Sequence, residues 1–135
     1  AGGRVRLRDC YFFDLSAAGS GDSVIVDNSF AGSSLYIDSC TMNGFSGNTG
    51  NHVYHKQGFT SIRNYSIISN KGRGIRCDAG VVEFFNSRIE INSTSDVLQV
   101  NGGQVLCDKS VIINGTTNGT GVDLTTAGAV LSAAT

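Results

Sequence analysis

Short apolar segments separated by polar residues recur along the whole chain. One clear example begins at Ala79-Gly80, continues through "VVEFF", breaks at Asn86-Ser87 and resumes as "RIEI". A loop rich in Gly, Ser, Asn and Thr and a third apolar segment, "LQV", precede the next glycine. Similar lines start at Gly3, Gly32, Gly58, Gly80, Gly103 and Gly128, at intervals of 22 to 29 residues. This spacing indicates an internal structural repeat.

Three short strands per repeat, joined by polar corners, predict an all-β parallel solenoid in which each repeat forms one coil. A single coil cannot bury its inner face, whereas stacked coils bury a continuous interior. We therefore expect a single domain over residues 1–135 with about five coils of three strands each. Because side chains alternate along a strand, the first strands should point these pairs inward: Val5/Leu7, Leu35/Ile37, Thr60/Ile62, Val82/Phe84 and Val105/Cys107.

Polar residues at the end of each first strand mark the predicted corners. We assign a structural corner role to Asp9, Asn64, Asn86 and Asp108. Asn and Asp tolerate the left-handed backbone conformation and can bond to neighbouring backbone, so stacked corners can form a side-chain ladder.

Cysteines occupy neighbouring coils just after these corners. Cys10 and Cys40 fall in the same inward column of the second strand, where a disulfide and two packed free thiols are both compatible with the pattern. His52 and His55 are three residues apart on a predicted strand, so they face opposite sides and should not share a metal ion.

Composition excludes several classes of protein. The chain has 18 glycines, no proline, no tryptophan and a net charge of -1, which suits many short strands and turns. Its ten basic residues are spread along the chain, so we expect no nucleic-acid partner. No apolar run approaches the roughly 18 residues of a transmembrane helix, so we expect no membrane span.

The x-Gly line starts, the units "NSRIEI" and "NYSII" and the unit "NGTTNGTGVDL" together resemble the right-handed parallel β-helix, or pectate-lyase-like, superfamily. The chain is most similar to a β-helix segment of the phage tailspike or tail-fibre type. The resemblance implies a right-handed, single-stranded parallel β-helix. It leaves the function open, because the superfamily includes polysaccharide lyases, hydrolases, tailspikes and adhesins.

The resemblance also implies that the outer surface of the first sheet faces a saccharide or a neighbouring subunit. Adjacent opposite charges on this surface can equally be cross-strand pairs that only stabilise the sheet. The candidate ligand or subunit-interface residues are Arg6, Arg8, Tyr36, Asp38, Arg63, Glu83, Phe85 and Asp108.

Catalytic patterns are weak in this sequence. Glu83 and Asp108 lie on successive coils, where their carboxyl groups could reach the roughly 5–9.5 Å separation that glycoside hydrolases use. The Asp cluster of a calcium-dependent lyase and the motifs of related hydrolases and epimerases are absent from the sequence. We therefore assign no catalytic, cofactor or metal-binding residue, and the pattern favours a non-catalytic chain.

These observations predict a structural or receptor- and glycan-facing β-helix of a virion, such as a tailspike or tail fibre. We expect a virion, extracellular or cell-surface location, and a homo-oligomer (preferably a trimer) or contact with other virion subunits, with a polysaccharide as a further possible partner. No capping helix precedes "VRLR", which suggests an excerpt or a segment capped by assembly. The alternatives are a fragment of a polysaccharide lyase or hydrolase and a bacterial surface adhesin.

Overall fold

The computed structural model describes residues 2–13, 27–28, 31–43, 51–69, 72–92, 94–115, 120–124 and 130–134, which form strands and turns. Most strands are three to five residues long, as the apolar segments of the repeat predict. In chain order they are β1 (Arg4–Arg8), β2 (Tyr11–Phe13), β3 (Asp27–Asn28), β4 (Ser34–Asp38), β5 (Thr41–Asn43), β6 (Asn51–His55), β7 (Phe59–Arg63), β8 (Ser66–Ser69), β9 (Arg73–Cys77), β10 (Val81–Phe85), β11 (Arg88–Ile91), β12 (Leu98–Val100), β13 (Gln104–Asp108), β14 (Val111–Asn114), β15 (Val122–Leu124) and β16 (Val130–Ala134).

Each strand pairs with the strand three places later in chain order, which is its counterpart in the next repeat. All the pairs are parallel. The first sheet has the order β1-β4-β7-β10-β13-β16, the second β2-β5-β8-β11-β14, and the third β3-β6-β9-β12-β15. The predicted parallel β-solenoid is therefore confirmed. Three coils, from β7 to β15, are described almost continuously, against about five in the prediction, because long connections before β7 lie outside the described residues.

The core is a set of stacked columns along the solenoid axis. Val82 lies opposite Thr60 and Val105 in the first sheet, and all three side chains are buried. The inward placement predicted for Val5 does not give burial, because 55% of this residue is exposed. Its strand, β1, is the edge strand of the described first sheet, so a neighbour covers it on one side only.

Each corner after a first-sheet strand has one residue with positive φ. Asp9, Asn64 and Asn86 occupy this position, with φ between 48° and 54°. In the fifth repeat this corner position is occupied by Lys109. Asp108, which was predicted as the corner residue, is instead the last residue of β13. The corner follows five strand residues in every coil, so the count of residues, rather than side-chain type, decides which residue turns.

The amide side chains at these corners form a ladder. Asn86 Nδ2 donates to Asn64 Oδ1 at 2.8 Å, and Asn64 Nδ2 donates to Asp38 Oδ1 at 3.1 Å. Both bonds run along the solenoid axis between adjacent coils, so the ladder reinforces the backbone pairing.

At three stacked positions, the backbone conformation explains why the residue that begins the repeat is glycine. Gly58, Gly80 and Gly103 have φ of 88°, 80° and 77°, a region that side chains with Cβ rarely adopt. The backbones also approach closely, since a Cβ on Gly103 would lie 2.5 Å from the Gly80 carbonyl oxygen. That oxygen accepts the Gln104 amide at 2.9 Å, so it is fixed by the sheet.

Gly80→Ala should destabilise the fold by about 1–3 kcal/mol, because the new Cβ needs a strained φ and meets the Gly58 backbone. Urea unfolding followed by circular dichroism measures the change. Gly3→Ala is the matched control, since a Cβ there meets nothing within 4 Å. Equal destabilisation by both variants would contradict the explanation.

Just after the corner that follows the first-sheet strands, small inward side chains accept hydrogen bonds from backbone amides of the neighbouring coil. Tyr65 N donates to Ser87 Oγ at 3.2 Å, and Ser87 N donates to Ser110 Oγ at 3.1 Å. Tyr65 itself departs from this pattern, since its large side chain is buried and its hydroxyl has no hydrogen-bond partner among the described residues. Burial of an unpartnered hydroxyl opposes folding.

Tyr65→Phe should therefore be neutral or stabilise the protein by up to about 1 kcal/mol, because it removes an unsatisfied polar group and leaves the ring in place. Tyr65→Ala should cost about 3–5 kcal/mol through the cavity it leaves. Thermal unfolding of both variants provides the measurement. A Phe variant less stable than wild type by more than 1 kcal/mol would show that the hydroxyl is bonded in solution.

Candidate functional site

The outer surface of the first sheet, here called the first-sheet face, carries two parallel columns of side chains set by the strand register. All eight residues predicted from the sequence lie in these columns. The first column is Arg6, Tyr36, Ser61, Glu83 and Leu106, and the second is Arg8, Asp38, Arg63, Phe85 and Asp108. Strands β4, β7 and β10 bury their alternate residues in the core, so the backbone beneath this part of the columns is fixed.

Asp38 is the most heavily bonded acid of the face. Its carboxylate accepts the Asn64 amide and the Ser39 hydroxyl (3.2 Å), and Arg8 lies 3.7 Å away. The Asn64 hydrogen bond lowers the pKa of Asp38, and the Ser39 bond and nearby arginines add to this against an opposing effect of burial. Asp38 is therefore an ionised acceptor at neutral pH.

Arg63, Glu83 and Ser61 form a second polar group, one coil further along. Glu83 Oε1 accepts the Ser61 hydroxyl at 2.8 Å and Arg63 Nη2 at 3.2 Å, while Arg63 Nε donates to Ser61 Oγ at 3.3 Å. The Arg63 side chain is still 59% exposed. A guanidinium has five N–H donors, so Arg63 keeps donors that point to solvent.

Aromatic rings lie at both ends of these polar groups. Arg4 and Arg6 each place their guanidinium carbon 5.6 Å from the Tyr36 ring centroid, and Phe59 contacts the same ring at 5.9 Å. At the other end, Phe85 is 37% exposed, and Lys109 Nζ lies 5.5 Å from its centroid. Tyr36 is therefore enclosed by neighbours, whereas Phe85 presents an accessible ring.

Two cavities on this face share Arg63 as a lining residue and lie beside each other across the coils. The first, about 350 Å³, is bounded by Arg6, Arg8, Tyr36, Asp38, Ser61 and Arg63. The second, about 470 Å³, is bounded chiefly by Arg63, Glu83, Phe85, Leu106, Asp108 and Ser132. We call these two adjoining cavities together the groove.

The carboxyl pair considered from the sequence lines the second cavity. Glu83 lies opposite Leu106 and Asp108 lies opposite Phe85, so the two acids are diagonal neighbours on adjacent strands. Glu83 Oε1 is already engaged by Ser61 and Arg63. Within the described residues, no group of three His, Cys, Asp or Glu side chains could hold a metal ion.

Another polar cluster, which we call the Asp78 cluster, lies on the third sheet and was not expected from the sequence. Asp78 accepts hydrogen bonds from Tyr54 (2.6 Å), Arg76 (2.8 and 3.2 Å) and Asn101 (2.6 Å). Burial acts to raise the pKa of Asp78, but these three donors outweigh it and lower the pKa. The register places Tyr54 beside Arg76, and Asp78 and Asn101 directly follow β9 and β12, which is the signal that could have revealed the cluster.

The two histidines of β6 and the cysteine opposite one of them are buried. His55 is buried, its Nδ1 lies 2.9 Å from Thr60 Oγ1, and burial lowers its pKa. His52, on the same strand, is also fully buried. Cys77 lies opposite His55, and burial raises the pKa of its thiol to about 11. All four cysteines are free thiols in this structure.

No protein-family model matches this chain, and no curated protein or solved structure matches it either. Among the described residues, no helix is long and apolar enough to cross a membrane. The function has to be inferred from the groove and from the coil architecture that supports it.

Asp78→Asn should destabilise the protein by about 1–3 kcal/mol at pH 7, because it removes a charged acceptor of four hydrogen bonds from three residues. The folded-state pKa of Asp78 lies below 3.8, so its stabilisation is present above that pH and is lost as the pH falls through the folded-state pKa. The difference between variant and wild type should therefore shrink as the pH falls below the ordinary pKa of an aspartate.

Urea unfolding at neutral and acid pH measures this difference. Asp108→Asn is the matched control, since within the described residues the Asp108 carboxylate accepts no hydrogen bond, and its substitution should change the midpoint little. A difference between Asp78→Asn and wild type that stays constant with pH would contradict the assignment.

Proposed function

We propose that the chain is a non-catalytic structural or receptor-facing β-helix of a virion, of the tailspike or tail-fibre type, and that its groove contacts a glycan. The observation that carries this proposal is the groove itself, two adjoining cavities with polar and aromatic linings on several coils of the first sheet. A site built on strands is pre-organised, so little conformational entropy is lost on binding.

The groove side chains suit a saccharide. Phe85 offers an exposed aromatic surface for the apolar side of a sugar ring, and Leu106 beside it is 39% exposed. Arg63 keeps free N–H donors for hydroxyl or carboxylate oxygens, and Asp38 supplies an ionised acceptor. Arg63, which lines both cavities, therefore lies between an acceptor in the first cavity and a flat apolar surface in the second.

Two arrangements favour binding over catalysis at this face. The Glu83 carboxylate is held by Ser61 and Arg63, which leaves it poorly placed to transfer a proton. Two arginines of the face are paired with acids, Arg8 with Asp38 and Arg63 with Glu83, as in a recognition surface. The second candidate, a fragment of a polysaccharide lyase or hydrolase, is favoured by one feature, which is that Glu83 and Asp108 line the same cavity.

For the assembly we propose a homotrimer, or contact with other virion subunits, and a location on a virion or outside the cell. The resemblance of the repeat units to tailspike β-helices supports this part of the proposal. The molar mass measured by light scattering distinguishes a trimer from a monomer. A stable monomer at micromolar concentration would count against the virion assembly without bearing on the groove.

Arg63→Ala and Phe85→Ala should each weaken binding to a responsive oligosaccharide by on the order of tenfold, since each removes one principal contact surface of the groove. A glycan array identifies the ligand, and calorimetry gives the affinities. Arg88→Ala is the matched control, because Arg88 is also an exposed arginine paired with a glutamate but lies on the second sheet.

Equal losses with Arg63→Ala and Arg88→Ala would reject the groove as the binding site. Failure of every array glycan to bind would reject glycan recognition. Release of new reducing ends or of unsaturated products from the ligand would instead favour the enzyme candidate.

A further inference from the structure

Two cysteines face each other across the first two coils. The pairs Arg8/Asp38 and Tyr11/Thr41 are in register on either side of them, so Cys10 lies directly opposite Cys40. Thr41 N donates to Cys10 O at 2.9 Å, which holds the two backbones together at this point. Cys10 N donates to Cys40 Sγ at 3.4 Å, so the Cys40 sulfur is directed at the first coil.

The spacing of the coils suits a disulfide. Neighbouring strands are about 4.7–4.9 Å apart, within the roughly 4.4–6.8 Å between Cα atoms that disulfides span. The preferred separation of Cβ atoms, about 3.5–4.5 Å, is slightly shorter, so closing the bond would draw the two coils together. At present each thiol donates a weak bond of 3.3 Å to a backbone carbonyl, from Cys10 to Arg8 and from Cys40 to Asp38.

The other two cysteines have no such neighbour. Cys77 lies opposite His55 and Val100 in the third sheet. Cys107 lies opposite Phe84 and Ala133 in the first sheet. The register therefore places only one pair of the four thiols opposite each other. Cys77 and Cys107 are internal controls for the selectivity of oxidation.

We propose that Cys10 and Cys40 are a disulfide-forming pair, and that an oxidising environment converts them into a covalent link between the first and second coils. With glutathione disulfide as the oxidant, the Cys10 thiolate attacks one sulfur, forms a mixed disulfide and releases one glutathione thiolate. The Cys40 thiolate then attacks the Cys10 sulfur, forms the Cys10–Cys40 bond and releases the second glutathione. Two protein thiols lose their protons, and one glutathione disulfide is reduced to two thiols.

The order of these steps follows from exposure. Cys10 is half-buried and can meet the oxidant, whereas Cys40 is only 1% exposed. Burial raises the pKa of the Cys40 thiol, so the second step should be slow at neutral pH and faster in mild alkali. Mixed disulfide with glutathione should therefore accumulate transiently on Cys10.

The bond would close a loop between residues 30 positions apart and tie the edge strand of the first sheet to the next coil. A cross-link of this length stabilises the folded state by restricting the unfolded chain. The oxidised protein should consequently unfold at a higher temperature than the reduced protein.

The test is to incubate the full chain with glutathione disulfide, alkylate the remaining thiols and map the peptides without reduction. We expect two of the four thiols to be lost, one peptide pair linked through Cys10 and Cys40, and Cys77 and Cys107 alkylated. Cys40→Ser is expected to fold, because Ser87 and Ser110 occupy equivalent positions, and it should retain glutathione on Cys10.

Cys77→Ser is the matched control, and it should form the same link as wild type. Four alkylated thiols after equilibration, a link between any other pair, a link between two chains, or a persistent glutathione adduct on wild-type Cys10 would each overturn the proposal. An oxidised protein with an unchanged unfolding midpoint would reject the stabilising role while leaving the bond assigned.

Discussion

The structure depends on one constraint, which is that every coil must pair in register with the coils on both sides of it. Parallel pairing without slippage requires each coil to place its corners at the same positions, with the same backbone conformation. In the repeats that begin at Gly58, Gly80 and Gly103, two corners have positive φ. At one corner these three glycines adopt it without steric cost, while the other uses residues such as Asn64 and Asn86 that tolerate it. The recurrence of glycine at these three positions follows from this requirement.

The same constraint creates the first-sheet face. Residues 20 or more positions apart in sequence become neighbours because the register aligns them, as with Arg63 and Glu83. Exposed ion pairs of this kind contribute about 0–1 kcal/mol to stability, so exchanging one for a contact with a ligand costs the fold little. The inner side of the same strands, filled by residues such as Val82 and Ile62, cannot change without loss of packing.

The sequence predicted the strands, the register and the outward columns because all of them follow from side-chain alternation and from the glycine that begins each repeat. It failed where the outcome depends on neighbours rather than on residue type. Lys109 and Ser39 adopt positive φ because of where they fall in the coil, although neither residue favours it. Val5 is exposed because its strand lies at an edge, and the Asp78 cluster required knowing which corners stack on one another.

The Asp78 cluster and the group formed by Arg63, Glu83 and Ser61 differ in how many of their hydrogen-bonding atoms are already paired. This difference distinguishes a structural role from a binding role. Asp78 accepts bonds from three neighbours, and its side chain is 26% exposed, so a ligand would have to displace existing bonds. Arg63 is 59% exposed and directs its described bonds to Ser61 and Glu83. It is held in orientation by those two bonds while its remaining donors face solvent beside the exposed Phe85 ring. An oriented donor with unused capacity is what a binding surface needs, which is why we propose a binding role for the groove and a structural role for the Asp78 cluster.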